Sequence, residues 1–191
     1  MKLEKWKENS IHWYKLEKEG TGMEFDESQK DDREYVLEQV KQKGSFLDFA
    51  SDELKDDREI VLAAIDQDGN SLEFASNRLK GDKQVVLASV KKVGWTICYA
   101  SEKLRNDKEV ILEGVKINGQ ELYFASATLR DDKEVVYEAV KNKGLILKYA
   151  SKRLRADKEI VIAALKSDKR AKEYISDEKL LEDEEIKLVL E

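Results

Sequence analysis

The chain repeats itself every 25 residues, without slippage, through most of its length. Glycines stand at 44, 69, 94, 119 and 144, and Ala-Ser pairs at 50–51, 75–76, 100–101, 125–126 and 150–151. A leucine follows three residues after each of those serines, at Leu54, Leu79, Leu104, Leu129 and Leu154. An aspartate recurs at 32, 57, 82, 107, 132 and 157, each time followed by Lys or Arg. A fixed period of this length marks a small unit that stacks on copies of itself. One unit cannot fold alone, because ordering its 25 residues costs on the order of 40 kcal/mol at ~1.5 per residue. Stacking solves this, since each apolar face is covered by the next unit.

Each unit reads as two short helices. In DDREIVLAAI, Asp56 and Glu59 have capping-box-like spacing, with acidic groups near free N–H groups and the favourable end of the helix dipole. Ile60, Val61, Ala64 and Ile65 then form an apolar stripe at helical spacing. Lysines gather toward the far end, and Gly69 is expected to stop the helix as a left-handed cap. The shorter helix is expected from about Leu72 to Leu79, with Leu72, Ala75 and Leu79 on one face and Phe74 directed to the neighbouring unit.

The expected fold is all-α: a single solenoid domain over residues 1–191, built as a right-handed superhelical stack of ~25-residue two-helix repeats with atypical capping ends. Residues 1–19 form an N-terminal cap, and units start near Gly20, Gly44, Gly69, Gly94, Gly119 and Gly144 through residue 168. Residues 169–191 form a degenerate capping repeat. Upstream, Met23 and Phe25 match the template after a one-residue slip, and Trp6, Ile11, Trp13, Tyr14 and Leu16 are available to cover the first face. Downstream, Tyr174 and Ser176 keep the phase, Lys169 replaces the glycine, and EDEEIKLVLE reads as a closing helix. At ~9 Å between neighbouring helices, such a stack is a rod or arc roughly 55 Å long.

Composition narrows the setting. Apolar residues make up 41% and charged residues 40%, which suits long helical surfaces rather than disorder or a membrane. There is no proline, as a mostly helical chain prefers. The net charge of −6, with both signs interspersed, argues against a general nucleic-acid binder. The start, MKLEKWKENS, has no apolar core of a signal peptide, and apolar runs such as Ile160 to Leu165 are too short to span a bilayer. The single cysteine, Cys98, excludes an internal disulfide framework. The expectation is a soluble, cytoplasmic protein, with secretion as an effector left open.

Chemistry is sparse. His12, the only histidine, sits among Ile11, Trp13 and Tyr14 and reads as a packing residue rather than a base or ligand. Cys98 has no neighbour in sequence that would activate a thiol. DQDGNSLE does not place its glycine where a calcium loop needs it. The pairs Asp31-Asp32, Asp56-Asp57 and Asp131-Asp132 recur at helix starts and read as caps rather than as acid–base pairs. No phosphate-cradling motif occurs. No metal, cofactor or enzymatic activity is expected.

Two basic rows flank the repeated aspartates: Lys55, Lys80, Arg105, Arg130 and Arg155 before them, Arg58, Lys83, Lys108, Lys133 and Lys158 after them. They read as an inter-unit salt-bridge ladder, the alternative being a groove for an acidic peptide or nucleic acid. The positions left free by the template follow each glycine: Ser45, Phe46, Asp48; Asn70, Ser71, Glu73; Trp95, Thr96, Cys98; Gln120, Glu121, Tyr123; Leu145, Ile146, Lys148. Large apolar side chains where the repeat demands none are candidate interface anchors. The candidate partner-binding residues are therefore Trp95, Cys98, Tyr123, Leu145, Phe46, Arg105 and Arg130, in a module that binds another protein. An enzyme with a site around His12, or an acidic inhibitor of a nucleic-acid enzyme, are the alternatives.

The stretches YASEKLRNDKEVILEGV and YASKRLRADKEIVIAAL resemble the bacterial and protist repeat family known as domain of unknown function 4116, over about residues 20–168. The resemblance implies helical repeats, often within larger proteins that include some secreted effectors. It supplies no catalytic residues.

Overall fold

The computed structural model describes residues 25–191, and His12, Trp6, Ile11, Trp13, Tyr14, Leu16, Gly20 and Met23 lie outside them. Regular structure among the described residues is helical throughout. Six ten-residue α-helices recur in phase: α1 (Arg33–Gln42), α2 (Arg58–Gln67), α3 (Lys83–Lys92), α4 (Lys108–Ile117), α5 (Lys133–Asn142) and α6 (Lys158–Ser167). A shorter α7 (Glu184–Leu190) follows. Each α-helix packs mainly on its neighbours in sequence, and each connecting segment on its own and the adjoining units. That is the solenoid the period requires. Its interior is a set of aligned columns, such as Ile60, Val85, Val110, Val135 and Ile160, none of them exposed.

The second helix of each unit differs from expectation. It is a 3₁₀ helix that begins at the glycine, as in Gly69–Phe74, and it ends before Ala75, whose backbone is extended. A separate 3₁₀ turn, Leu79–Gly81, completes the unit. The break has a cause in hydrogen bonding. The serine of each Ala-Ser pair, and Ser176 after Ile175, donates its backbone N–H to the preceding unit instead of continuing a helix: Ser51 to Lys30, Ser76 to Lys55, Ser101 to Lys80, Ser126 to Arg105, Ser151 to Arg130 and Ser176 to Arg155, at 2.9–3.3 Å. Its hydroxyl accepts from the leucine three residues on at Ser76, Ser126 and Ser151. The repeated Ala-Ser pair is therefore a backbone splice between units, beyond leaving room for close approach.

The helix caps also need correcting. The N-cap of α2 is Asp57, whose carboxylate accepts from the N–H groups of Glu59 and Ile60; Asp56 is not the cap. Asp56 instead receives the Ser76 hydroxyl and the Arg78 guanidinium from the next unit, and Asp131 receives Ser151 and Arg153 in the same way. In the Asp56-Asp57 and Asp131-Asp132 pairs the second residue thus starts its own helix and the first clamps the following unit. Where Gly81 stands at the clamp position, Ser101 has no acidic partner there, and Glu102–Arg105 forms an α-turn instead.

Nor is the repeated glycine a left-handed cap. α2 ends at an extended Asp68, and Gly69 adopts no left-handed φ. The glycines are needed for proximity. A Cβ on Gly44, Gly119 or Gly144 would overlap the carbonyl oxygen of Ala64, Ala139 or Ala164 in the last turn of the next α-helix. At Lys169 the template glycine is absent, and the lysine ammonium instead accompanies the end of α7 by donating to the Leu190 carbonyl at 3.1 Å.

The row of cations following the aspartates forms the expected ladder. Arg33, Arg58, Lys83, Lys108, Lys133 and Lys158 each bridge to the capping aspartate of the next helix at 2.8–3.3 Å. Burial raises the Asp107 carboxyl, but the Lys83 ammonium and the helix N–H groups outweigh it and hold the group below its ordinary value. These pairs are largely exposed, so each contributes little on its own. Lys108→Ala should leave the thermal midpoint within about 3 °C of the wild type; a large drop in a circular-dichroism melt would mean that the rungs act as one network.

Candidate functional site

The opposite side of the stack, formed by the 3₁₀ helices, carries most of the candidate residues. The position five after each glycine, or after Lys169 in the last unit, is aromatic: Phe49, Phe74, Tyr99, Phe124, Tyr149 and Tyr174, all half-buried against the core. This column was visible in the sequence through Phe74, but its continuity as a surface floor was not. Onto it the middle units add further rings. Trp95 packs on Tyr99 with centroids 5.5 Å apart, and Tyr123 meets Phe124 and Tyr149 edge-on at 5.2 Å each. The Lys148 ammonium lies 4.9 Å above the Tyr149 ring, a favourable placement for a cation. Tyr123 is 41% exposed, unusual for so large an apolar body in this stack. Leu145 and Cys98 are half-buried, and the cysteine is in no disulfide.

Three of the candidate residues are placed differently. Phe46 is only 4% exposed and packs with Phe25 and Phe49, so it belongs to the core. Arg105 and Arg130 are half-buried, and their carbonyls accept the serine splices described above. Arg130 also turns its guanidinium back on the Ala125 carbonyl at 3.1 Å. Both main chains serve the stack, and so does the Arg130 guanidinium. Phe25, by contrast, stacks on Phe49 at 5.5 Å, the place that the slipped upstream match gives it.

The middle position of every post-glycine triplet was expected to be free, yet Phe46, Ser71, Thr96, Glu121 and Ile146 are all buried. Each faces the seam between its short helix and an α-helix. Ser71 donates to the Ala64 carbonyl, and Ser89 donates to the Thr96 hydroxyl at 2.6 Å. Glu121 is the outlier of this column, a carboxyl 1% exposed beside Gly114. One oxygen accepts from the Asn118 amide at 3.0 Å, and the other has no hydrogen-bond partner among the described residues. Burial pushes its pKa up to about 7, offset in part by Asn118. A carboxyl held in this seam bears on the stability of the stack.

The α-helical side has an open groove of about 630 Å³ between α5, α6 and α7, floored by Tyr137, Ile162 and Ala163. On its rim Lys133 pairs with Asp157 and Glu159, and Lys158 with Glu185, as ladder rungs, and Lys166 also lines it. No group of three His, Cys, Asp or Glu side chains able to hold a metal lies among the described residues. No helix among them is long and apolar enough to cross a membrane.

Comparison with protein families gives three consecutive matches to the model described as Domain of unknown function (DUF4116), at residues 32–80, 82–130 and 132–181. The chain belongs to this family. Each DUF4116 match starts at or beside a capping aspartate and takes in two structural units, so one family domain is two layers of the solenoid. The third DUF4116 match runs past residue 168, where the resemblance was expected to end, and includes the unit at Lys169–Tyr174. Hydrogen bonding agrees, since Ser176 and Asp183 continue the splice and the ladder. Neither curated proteins nor solved structures gave a match.

Proposed function

We propose that the chain is a protein-binding module that presents the short-helix side of its stack, centred on Trp95, Tyr123 and Leu145, to a protein partner. The observation that carries this reading is the exposed Tyr123 seated on Phe124 and Tyr149, at a position where the other units place Asp48, Glu73, Cys98, Lys148 and Glu173. The first position after each glycine tells the same story: it is Ser45, Asn70 and Gln120 elsewhere, and Arg170 after Lys169, but Trp95 and Leu145 in the middle of the stack. Rigid aromatic bodies with polar tips, held on a fixed floor, are typical interface anchors because little side-chain entropy remains to be lost on binding. On the other side of the stack the charges are tied to one another by the ladder, which favours contact over catalysis.

The test is the double variant Trp95→Ala/Tyr123→Ala on an immobilised chain. Partner capture should be lost, while the helical spectrum is kept and the thermal midpoint stays within about 5 °C. Undiminished capture would remove these residues from the interface, and a melt displaced by much more would reassign them to the core.

A further inference from the structure

We propose that the partner on this face is a second copy of the same chain, docked antiparallel about a twofold axis at the unit that begins with Gly94. The inference rests on the short-helix side being the binding surface. It follows from how charge is distributed along that side. Three positions recur in each unit: the fourth after the glycine, exposed at Asp48, Tyr123 and Lys148 and half-buried at Glu73 and Cys98, and the first two after the Ala-Ser serine, exposed throughout. In the unit of Gly44 they are Asp48, Asp52 and Glu53; in the unit of Gly144 they are Lys148, Lys152 and Arg153. Every sign is reversed between the two. The three units between them carry no net charge at these positions.

A half-turn about the Gly94 unit places the acidic unit of each copy against the basic unit of the other, and does so twice by symmetry. This is the self-complementary arrangement of an isologous dimer. The same operation sets the Gly69 unit against the Gly119 unit, so Trp95 and Tyr123 fall in the middle of the contact, where anchors concentrate. Parallel docking would instead put like charge against like. Arg153 already bonds Asp131 at 3.1 Å, so Lys148 and Lys152 carry most of the attraction. A shorter register also matches charge, with the Gly144 unit meeting Glu173, Asp177 and Glu178 of the final unit. It leaves Trp95 and Tyr123 outside the contact.

Sedimentation equilibrium on the full chain decides the matter. The expected result is a dimer at low salt that weakens as salt rises. Lys148→Glu/Lys152→Glu should raise its dissociation constant about 100-fold, since like charges then face each other. Adding Asp48→Lys/Asp52→Lys to that variant should restore dimerisation, and a short bis-maleimide should join Cys98 to Cys98 across the axis. All four charge substitutions are at exposed positions, and unchanged circular dichroism verifies the fold. A monomer at every salt concentration, indifference to the lysine reversals, or rescue by Glu173→Lys/Asp177→Lys instead would overturn the proposal. If the chain is monomeric while another protein is still captured through Trp95 and Tyr123, the binding face stands and the second copy does not.

Discussion

Gly144→Ala should destabilise the stack by about 3 kcal/mol or more, whereas Gly81→Ala should be neutral or stabilising. The two substitutions add the same methyl group to the same residue type in the same fold. At Gly144 the new Cβ would overlap the Ala164 carbonyl oxygen and come within 2.9 Å of the Asp168 backbone nitrogen. Both are main-chain atoms of α6 and its C-cap, so no rotamer change relieves the clash and the units must separate. At Gly81 the nearest atom is the Ser101 hydroxyl at 3.8 Å, in ordinary contact, and the backbone is one that alanine adopts freely. Gly94→Ala should fall between them, because its Cβ would stand 3.3 Å from the Gly114 carbonyl oxygen. Stability in a repeat array is a sum of unit and nearest-neighbour terms, so a broken seam should also split the unfolding transition. Urea titrations followed by circular dichroism read both effects. A Gly144→Ala curve superimposable on wild type would mean that the seam accommodates a methyl group and that close approach is not what the glycine provides.

The same comparison shows what was legible in the sequence. Spacing alone located the α-helices and the inward columns, because burial constrains those positions identically in every unit. It misassigned the glycine, since a helix-stopping residue and a residue of close approach look alike until the partner is seen. It also read Phe46, Ser71, Thr96, Glu121 and Ile146 as free because their identities vary. They vary although buried, since the facing residue varies too: Ser71 is paired with Ala64, Thr96 with Ser89, and Glu121 with Gly114. A seam filled jointly by two side chains does not require either one to repeat. The aromatic surface was half legible. Trp95 and Tyr123 stood out as departures from the template, but the floor beneath them belongs to the template and was hidden by its regularity.

Glu121→Gln should flatten a pH dependence that the wild-type chain shows between about pH 5 and pH 8. The carboxyl titrates near 4.5 when unfolded and at about 7 in the fold, because burial disfavours its charged form. Between those values the folded state holds the proton more tightly than the unfolded state does. Stability is therefore greatest below pH 4.5 as far as this group is concerned, falls as pH rises toward 7, and is level above. The full difference is about 3 kcal/mol at 1.36 per pK unit. The capping carboxylates act in the opposite sense. Asp57, Asp107 and Asp157 lie below their ordinary values, so what they contribute is present at neutral pH and is lost only in acid. The two trends occupy separate windows, and melts at pH 5 and pH 8 isolate the first. Any slope left in Glu121→Gln reports other groups that titrate in that window. Glu121→Ile, which copies Ile146 at the equivalent position, should also remove the slope and raise the midpoint at pH 8 by about 5–10 °C. An unchanged slope in both variants would show that Glu121 ionises freely, with water reaching the seam beside Gly114.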